Sequence, residues 1–279
     1  MSPRPSKSLG QNFLIDSNIA RKIVAFAECN DGDVVVEIGA GRGALTPTLA
    51  GSCKKLFAVE IDARLKASLQ EATIGLQNVE ILMADARKIS YDTFKSEAPL
   101  KIVGNIPYYA STDILFNILD QRHLVSSVTF MLQKELALRL CAQPCCKEYG
   151  IPTVILGMFA NVVKGFNVSP FCFYPQPHVT STVIRIDFLQ ESKFPLDNID
   201  LLTAVVHGLF AQRRKSVLNN LKNFFEGNTT MAREILTKAN IAPLARAEHL
   251  SLCDFATIAN LVNGSGWKTE AQKILDARS

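Results

Sequence analysis

The sequence predicts an α/β fold, a seven-stranded and mostly parallel sheet, with a smaller all-helical domain after it. Three observations carry this. Short β-branched runs alternate with helix-length stretches from residue 34 onward, the alternation stops near residue 190, and every later apolar run has helical spacing. Strands covered by helices on both faces become continuous apolar runs rather than alternating ones.

The elements follow in order. "VVVEI" at 34–38, "LFAVEI" at 56–61, "VEILMAD" at 79–85, "KIVGN" at 101–105 and "SVTFML" at 127–132 are the first five strands. A helix near 151–160 precedes "ANVVKGFNV" and "STVIRIDF", two further strands that bracket the proline-rich loop "SPFCFYPQPHVT" and are expected to be antiparallel. The polar stretch "LQESKFPLDN" at 189–198, interrupted by Pro195, sets the domain boundary, giving domains of residues 1–190 and 191–279. Beyond it, "LLTAVVHGLFAQRRKSVLNNLKNFF", "MAREILTKA", "LSLCDFATIANLV" and "EAQKILDA" have the 3.6-residue period of helices.

Charge is distributed unevenly over the 279 residues. Residues 1–22 carry +3 and residues 207–246 carry +5, so the remainder of a chain with formal charge +4 is at −4. Two basic zones on an acidic body suit a polyanion held at specific faces, and equally suit solvated surface. The seven cysteines are an odd number scattered through a chain too large to need staples, which fits a reducing compartment. Cys141, Cys145 and Cys146 cluster without a second ligand pair, so they are expected to be structural thiols and no metal is expected. With no apolar signal core at the N-terminus and only a short, broken greasy stretch at 151–163, the expectation is a cytoplasmic protein with no membrane attachment.

The first strand runs into "EIGAGRGALT", placing Gly39, Gly41 and Gly43 where a strand turns into a helix. Glycines there permit a tight turn and close approach of backbone to a ligand, although a plain strand-to-helix turn uses them too. Glu60 ends the second strand, where an acid commonly accepts hydrogen bonds from both ribose hydroxyls of a nucleoside. Asp85 ends the third, suited to an adenine amine. Singly, each acid is also a reasonable helix cap. Three successive strand ends so equipped hold a ribose and an adenine without a diphosphate, which points to S-adenosyl-L-methionine.

The fourth strand ends in "NIPY", residues 105–108. An adenine N6 amine is a poor nucleophile because its lone pair is delocalised into the ring. The Asn105 side-chain oxygen and the Ile106 carbonyl supply acceptors for its two N–H groups, favouring a pyramidal nitrogen aimed at a methyl donor. Pro107 fixes the turn and Tyr108 offers a stacking face. A strand-ending turn with a core tyrosine is the structural alternative.

Together these stretches resemble the small-subunit (16S) ribosomal RNA adenine N6-dimethyltransferases. The resemblance extends over nearly the whole chain, through "SLGQNFL" at 8–14, "EIGAGRGALT", "VEID", "ADA", "NIPY", "FNVSPFCFYPQPHVTSTVIR" at 166–185, "FAQRRKSVLNNL" at 210–221 and "RAEHLS" at 246–251. It implies a Rossmann-like methyltransferase fold and an enzyme that dimethylates two adjacent adenines in a hairpin near the 3′ end of 16S rRNA within the assembling 30S subunit; separately, a monomer is expected. Cofactor positions implied are Asn12, Leu14, Gly39, Gly41, Glu60, Asp85 and Asn105, with residues 11–13 closing over the methionine part. Phe173 would face Tyr108 across the target base. Arg213, Arg214, Lys215 and Lys222 of the helical domain would contact RNA phosphates. Ala40 and Ile106 depart from the family's usual proline and leucine without removing a required group. The nearest enzyme alternative is a large-subunit rRNA adenine methyltransferase, which "FAQRRKSVLNNL" and "RAEHLS" disfavour. A non-catalytic RNA-binding factor on the same fold is disfavoured by the intact glycines, Glu60, Asp85 and Asn105.

Overall fold

The computed structural model describes residues 3–6, 9–265 and 267. The candidate helix "EAQKILDA" lies outside them. The chain divides into two compact units: the residues up to Ala137 with Asn161–Phe188, and Leu138–Ala160 with the described residues from Leu189 onward.

In the first unit the chain runs β1 (Phe13–Leu14), α1 (Ser17–Ala27), β2 (Val34–Ile38), α2 (Thr46–Ala50), β3 (Lys55–Glu60), α3 (Lys66–Ala72), β4 (Val79–Met83), β5 (Leu100–Asn105), α4 (Ser111–Asp120) and β6 (Val125–Gln133). Short α5 (Lys134–Leu140) and α6 (Ile151–Phe159) follow, then β7 (Ala160–Val168), β8 (Phe173–Tyr174) and β9 (Ser181–Phe188). Seven strands form one sheet in the order β4-β3-β2-β5-β6-β9-β7. Strands β2 through β6 pair in parallel, and β9 runs antiparallel to β6. Every residue of β2 is buried, which is why its sequence lacks alternation. Local chemistry sets the helix ends: Asp16 caps α1 by accepting from Asn18 N (2.8 Å) and Ile19 N (3.2 Å).

Topology places the site. From β2 the chain moves outward to β3 and β4, then returns to β5 on the other flank of β2, so strand order reverses at β2. A crevice opens beyond the carboxyl ends of the strands at such a reversal. The register pairs Ile38 with Val59 and with Gly104, so the glycine loop, Glu60 and Asn105 emerge at one sheet edge.

Two features depart from expectation here. Strand β4 ends at Met83, so Asp85 stands two residues beyond it rather than at its end. Strands β1 and β8 form a separate two-stranded antiparallel ribbon pairing Phe13 with Tyr174 and Leu14 with Phe173. The alternation of a strand therefore sends Leu14 and Phe173 into the core and leaves Tyr174 exposed.

The second unit is helical: α6 together with α7 (Ile199–Phe210), α8 (Val217–Phe224), α9 (Thr229–Lys238) and α10 (Leu252–Gly264). The segment 138–160, expected in the first domain, packs here because apolar α6 presents Gly157 to the Leu252 side chain. The run at 201–225 is two helices. Ser216 caps α8 through Asn219 N, and the buried Asn220 amide donates to the carbonyls of Leu209 (2.7 Å) and Gln212 (3.2 Å). Those bonds satisfy the end of α7 and hold residues 211–216 as a turn.

Candidate active site

A cleft of about 800 Å³, open to solvent, lies at the carboxyl edge of β2, β3 and β5, within the first unit. Its wall includes Asn12, Gly39, Gly41, Glu60, Asp85, Asn105, Ile106, Pro107 and Tyr108. Nine positions singled out from sequence are thus brought together.

The glycine loop is shaped by Glu60. Gly41, at φ +60°, donates its N–H to Glu60 Oε2 (2.8 Å), while Ile61 N (2.9 Å) and Asp62 N (2.8 Å) donate to Oε1. A side chain at Gly43 is excluded outright, since its Cβ would lie 2.6 Å from Ala72 Cβ. Glu60 is 5% exposed, and burial raises its pKa despite the three amide donors that oppose the shift. A carboxylate offers about four lone-pair sites, so with three donors bound one position on Oε2 is left over. In this arrangement Glu60 has room for one further donor; a second would have to displace one of the three backbone N–H groups.

The N-terminal segment is tied across the same edge. Gln11 Nε2 donates to Asp62 Oδ2 (2.9 Å), and its Oε1 accepts from Ser6 N (2.8 Å). Arg42 donates to the Pro3 carbonyl (2.6 Å) and stacks on the Phe13 ring at 4.3 Å. The Arg64 guanidinium, with Gln11, brings the Asp62 carboxyl down to about 2.

At the "NIPY" turn, Asn105 Nδ2 donates to the carbonyl of Asn12 (3.1 Å). That bond assigns the amide's two ends, and among the described residues no donor reaches Asn105 Oδ1. The Pro107 carbonyl is taken by Ser111 Oγ (3.0 Å) and Ala110 N (3.1 Å), whereas among the described residues no donor reaches the Ile106 carbonyl. The Tyr108 hydroxyl bonds the buried Ser181 Oγ (2.8 Å), which fixes the ring beside the cleft, and burial raises the phenol's pKa.

Two positions fall elsewhere. Leu14 (6% exposed) and Phe173 (3%) face each other in the core beneath the β1–β8 ribbon, and neither lines the main cleft. Leu14 borders a smaller cavity of about 450 Å³ beside the glycine loop, with Gly39, Gly41 and Glu37. On this ribbon Phe173 is buried, whereas its neighbour Tyr174 is exposed.

Sequence reasoning missed Arg87 and Tyr109, which also line the cleft. Arg87 grips Asp85, with Nη2 2.6 Å from Oδ2 and Nε 3.0 and 3.1 Å from the two oxygens, so Asp85's pKa lies below the usual carboxylate range. An arginine two residues after a strand-end acid was the available signal.

In the second unit, Arg213, Arg214 and Lys215 lie on the turn between α7 and α8, and Lys222 is exposed in the last turn of α8. Arg213 is engaged: it pairs with Glu248 (3.0 Å) and donates to the Lys147 carbonyl. Among the described residues Arg214, Lys215 and Lys222 have no ion-pair partner. No group of three or more His, Cys, Asp or Glu is arranged to hold a metal ion, and no helix is long and apolar enough to cross a membrane, among the described residues.

Comparison with known proteins places this geometry. A family model described as ribosomal RNA adenine dimethylase matches residues 4–263. The chain belongs to that family. A ribosomal RNA small subunit methyltransferase A of Syntrophus aciditrophicus is 40% identical over 267 residues, covering 94% of this chain and 95% of its own. One from Levilactobacillus brevis is 40% identical over 271 residues, covering 93% and 90%. Among solved structures, a dimethyladenosine transferase from Plasmodium falciparum aligns with a TM-score of 0.81 at 26% identity, covering 91% of this chain and 98% of that one. The 23S rRNA methyltransferase ErmE shares the fold at 23% identity, with a TM-score of 0.71 over 90% of this chain and 100% of that one. The family's Rossmann-like methyltransferase sheet is thus the seven-stranded sheet described above.

Proposed function

We propose that this protein transfers methyl groups from S-adenosyl-L-methionine to N6 of two adjacent adenines in a hairpin near the 3′ end of small-subunit rRNA, giving N6,N6-dimethyladenosine during assembly of the 30S subunit. The observation that carries the reading is the Asn105–Asn12 bond at the cleft wall, which commits the amide nitrogen and leaves Asn105 Oδ1 without a donor among the described residues. Membership of the adenine dimethylase family and the small-subunit names of relatives at 40% identity support the substrate.

The residues present fit the cofactor. Glu60 has an acceptor site left for a ribose hydroxyl, Asp85 stands where a purine amine would be met, and the backbone of Gly39 and Gly41 borders the cleft without a Cβ. Gln11, Asn12 and Phe13 are held over the cleft by the Gln11–Asp62 and Arg42–Phe13 contacts and would cover the amino-acid part. When bound, the sulfonium supplies an electrophilic methyl group.

The chain's own residues then orient the nucleophile. In the first transfer Asn105 Oδ1 and the Ile106 carbonyl accept the two amine hydrogens, and in the second one of them accepts the hydrogen that remains; each stabilises the positive charge that develops on the nitrogen until a proton is lost to solvent. Tyr108, braced by Ser181, presents a ring for stacking. A paired adenine hides N6, so the base must be unpaired or flipped into the cleft. Arg214, Lys215 and Lys222 would hold RNA phosphates without reading bases.

Titration calorimetry with S-adenosylhomocysteine tests the cofactor half of this reading. Glu60→Gln keeps the shape and removes the charge, and should weaken binding by about 1.5 to 3 kcal/mol. Unchanged affinity would remove Glu60 from the site.

A further inference from the structure

We propose that Arg87 gates the base end of the cleft: it occupies Asp85 in the free protein and must release it before a purine amine is accepted there. This rests on the cofactor reading above. Asp85 Oδ1 accepts from the Arg87 backbone N (3.0 Å) and Nε (3.0 Å), while Oδ2 takes Nη2 at 2.6 Å and shares Nε at 3.1 Å. A carboxylate has about four acceptor positions, so an incoming amine has no free one in the plane of the guanidinium fork. Both residues line the cleft, so the carboxylate that the arginine occupies is one that a base bound there would meet.

Three features make the contact reversible. The pair is partly exposed, at 37% for Arg87 and 22% for Asp85, so solvent competes for both groups. The backbone N–H of Arg87 bonds Oδ1 independently of the side chain, so the turn and the Asp85 rotamer persist after the guanidinium leaves. Asp113, in the first turn of α4, also acts electrostatically on Arg87 and offers the released cation a second carboxylate. The gate therefore sets a small penalty on a purine whose amine must take Asp85 from the arginine, whereas a purine without an amine leaves the Asp85–Arg87 bonds in place and pays none.

The test measures binding of S-adenosylhomocysteine, and of its analogue with hydrogen in place of the N6 amine, to the full chain and to Arg87→Met, with melting temperatures alongside. Arg87→Met should bind S-adenosylhomocysteine about two- to fivefold tighter, the range for a partly exposed ion pair, and the analogue no tighter. Arg87→Lys, which cannot form the fork, should show a smaller gain with the same preference, and serves if the methionine variant folds poorly. Equal affinities across variants, weaker binding without Arg87, or an equal gain for both ligands would overturn the gate. Failure of the unaltered, folded chain to bind S-adenosylhomocysteine would instead overturn the cofactor reading, and the gate with it.

Discussion

Asn105 donates its side-chain N–H to the backbone carbonyl of Asn12, 93 residues earlier, at 3.1 Å. One bond thus joins the N-terminal segment to the "NIPY" turn and commits the amide nitrogen, so that among the described residues the oxygen is the end without a donor. Asn105→Ala removes an acceptor for the amine and should lower the methyl-transfer rate by about a hundredfold, equivalent to ~3 kcal/mol. Asn105→Asp keeps an oxygen but sets a carboxylate against the Asn12 carbonyl, so it should lose the orienting bond and lower the rate as well. Single-turnover kinetics with melting curves alongside check both. A rate that falls only in proportion to the melting temperature would make the turn structural.

The Tyr108–Ser181 bond changes what a phenylalanine should do at 108. The ring suffices for stacking, yet Tyr108→Phe leaves the buried Ser181 hydroxyl without this partner. The variant should melt lower by the equivalent of about 1 kcal/mol while keeping most activity. Tyr108→Ala should lose roughly 1 to 3 kcal/mol of base stacking in addition. RNA binding and thermal melting, measured together, separate the two contributions.

The basic turn divides by role. Arg213 holds the turn to Glu248 and to the Lys147 carbonyl, whereas Arg214 and Lys215, likewise exposed, have no ion-pair partner among the described residues. Arg214→Gln with Lys215→Gln should reduce the slope of log K against log salt for rRNA binding by somewhat under one unit for each phosphate no longer neutralised. Arg213→Gln should instead lower thermal stability and change the slope least. The reverse pattern would assign the phosphate-binding role to Arg213.

Glu37 gives a pH signature. It is fully enclosed, bonded by Thr46 Oγ1 (2.7 Å), and burial pushes its pKa up to about 7 from 4.5. Because the folded form holds the proton more tightly than the unfolded one, its contribution is fully present below pH 4.5 and is lost as pH rises toward 7. The shift corresponds to about 3 kcal/mol. Glu37→Gln should flatten the fall in stability between those pH values and raise stability above pH 7. Glu60, also raised by burial, retains part of the slope. Denaturant melts across this range decide it; identical profiles would mean that Glu37 keeps its ordinary pKa.

The sheet was legible because buried parallel strands carry an unbroken apolar signal, and β2, β3 and β5 fall within a residue of the runs that predicted them. The polar strand ends were legible for a related reason, since Glu60 and Asn105 interrupt apolar runs at one sheet edge. What escaped depended on long-range pairing. No local pattern announces that Phe13–Leu14 pairs with residues 173–174, and that pairing alone decides that Phe173 turns inward. The break at 211–216 is set by the reach of Asn220 back to Leu209, which helical periodicity does not encode. Arg87 stands out only through its bonds to Asp85 and its place in the cleft wall.

Methyl transfer to the rRNA itself is tested most directly by incubating the protein with methyl-labelled S-adenosylmethionine and small subunits that lack dimethyladenosine, then mapping the label. The expected result is label at N6 of two adjacent adenines in a hairpin near the 3′ end, with two methyl groups on each. No incorporation by protein that still binds the subunit, or label confined to other atoms, would contradict it.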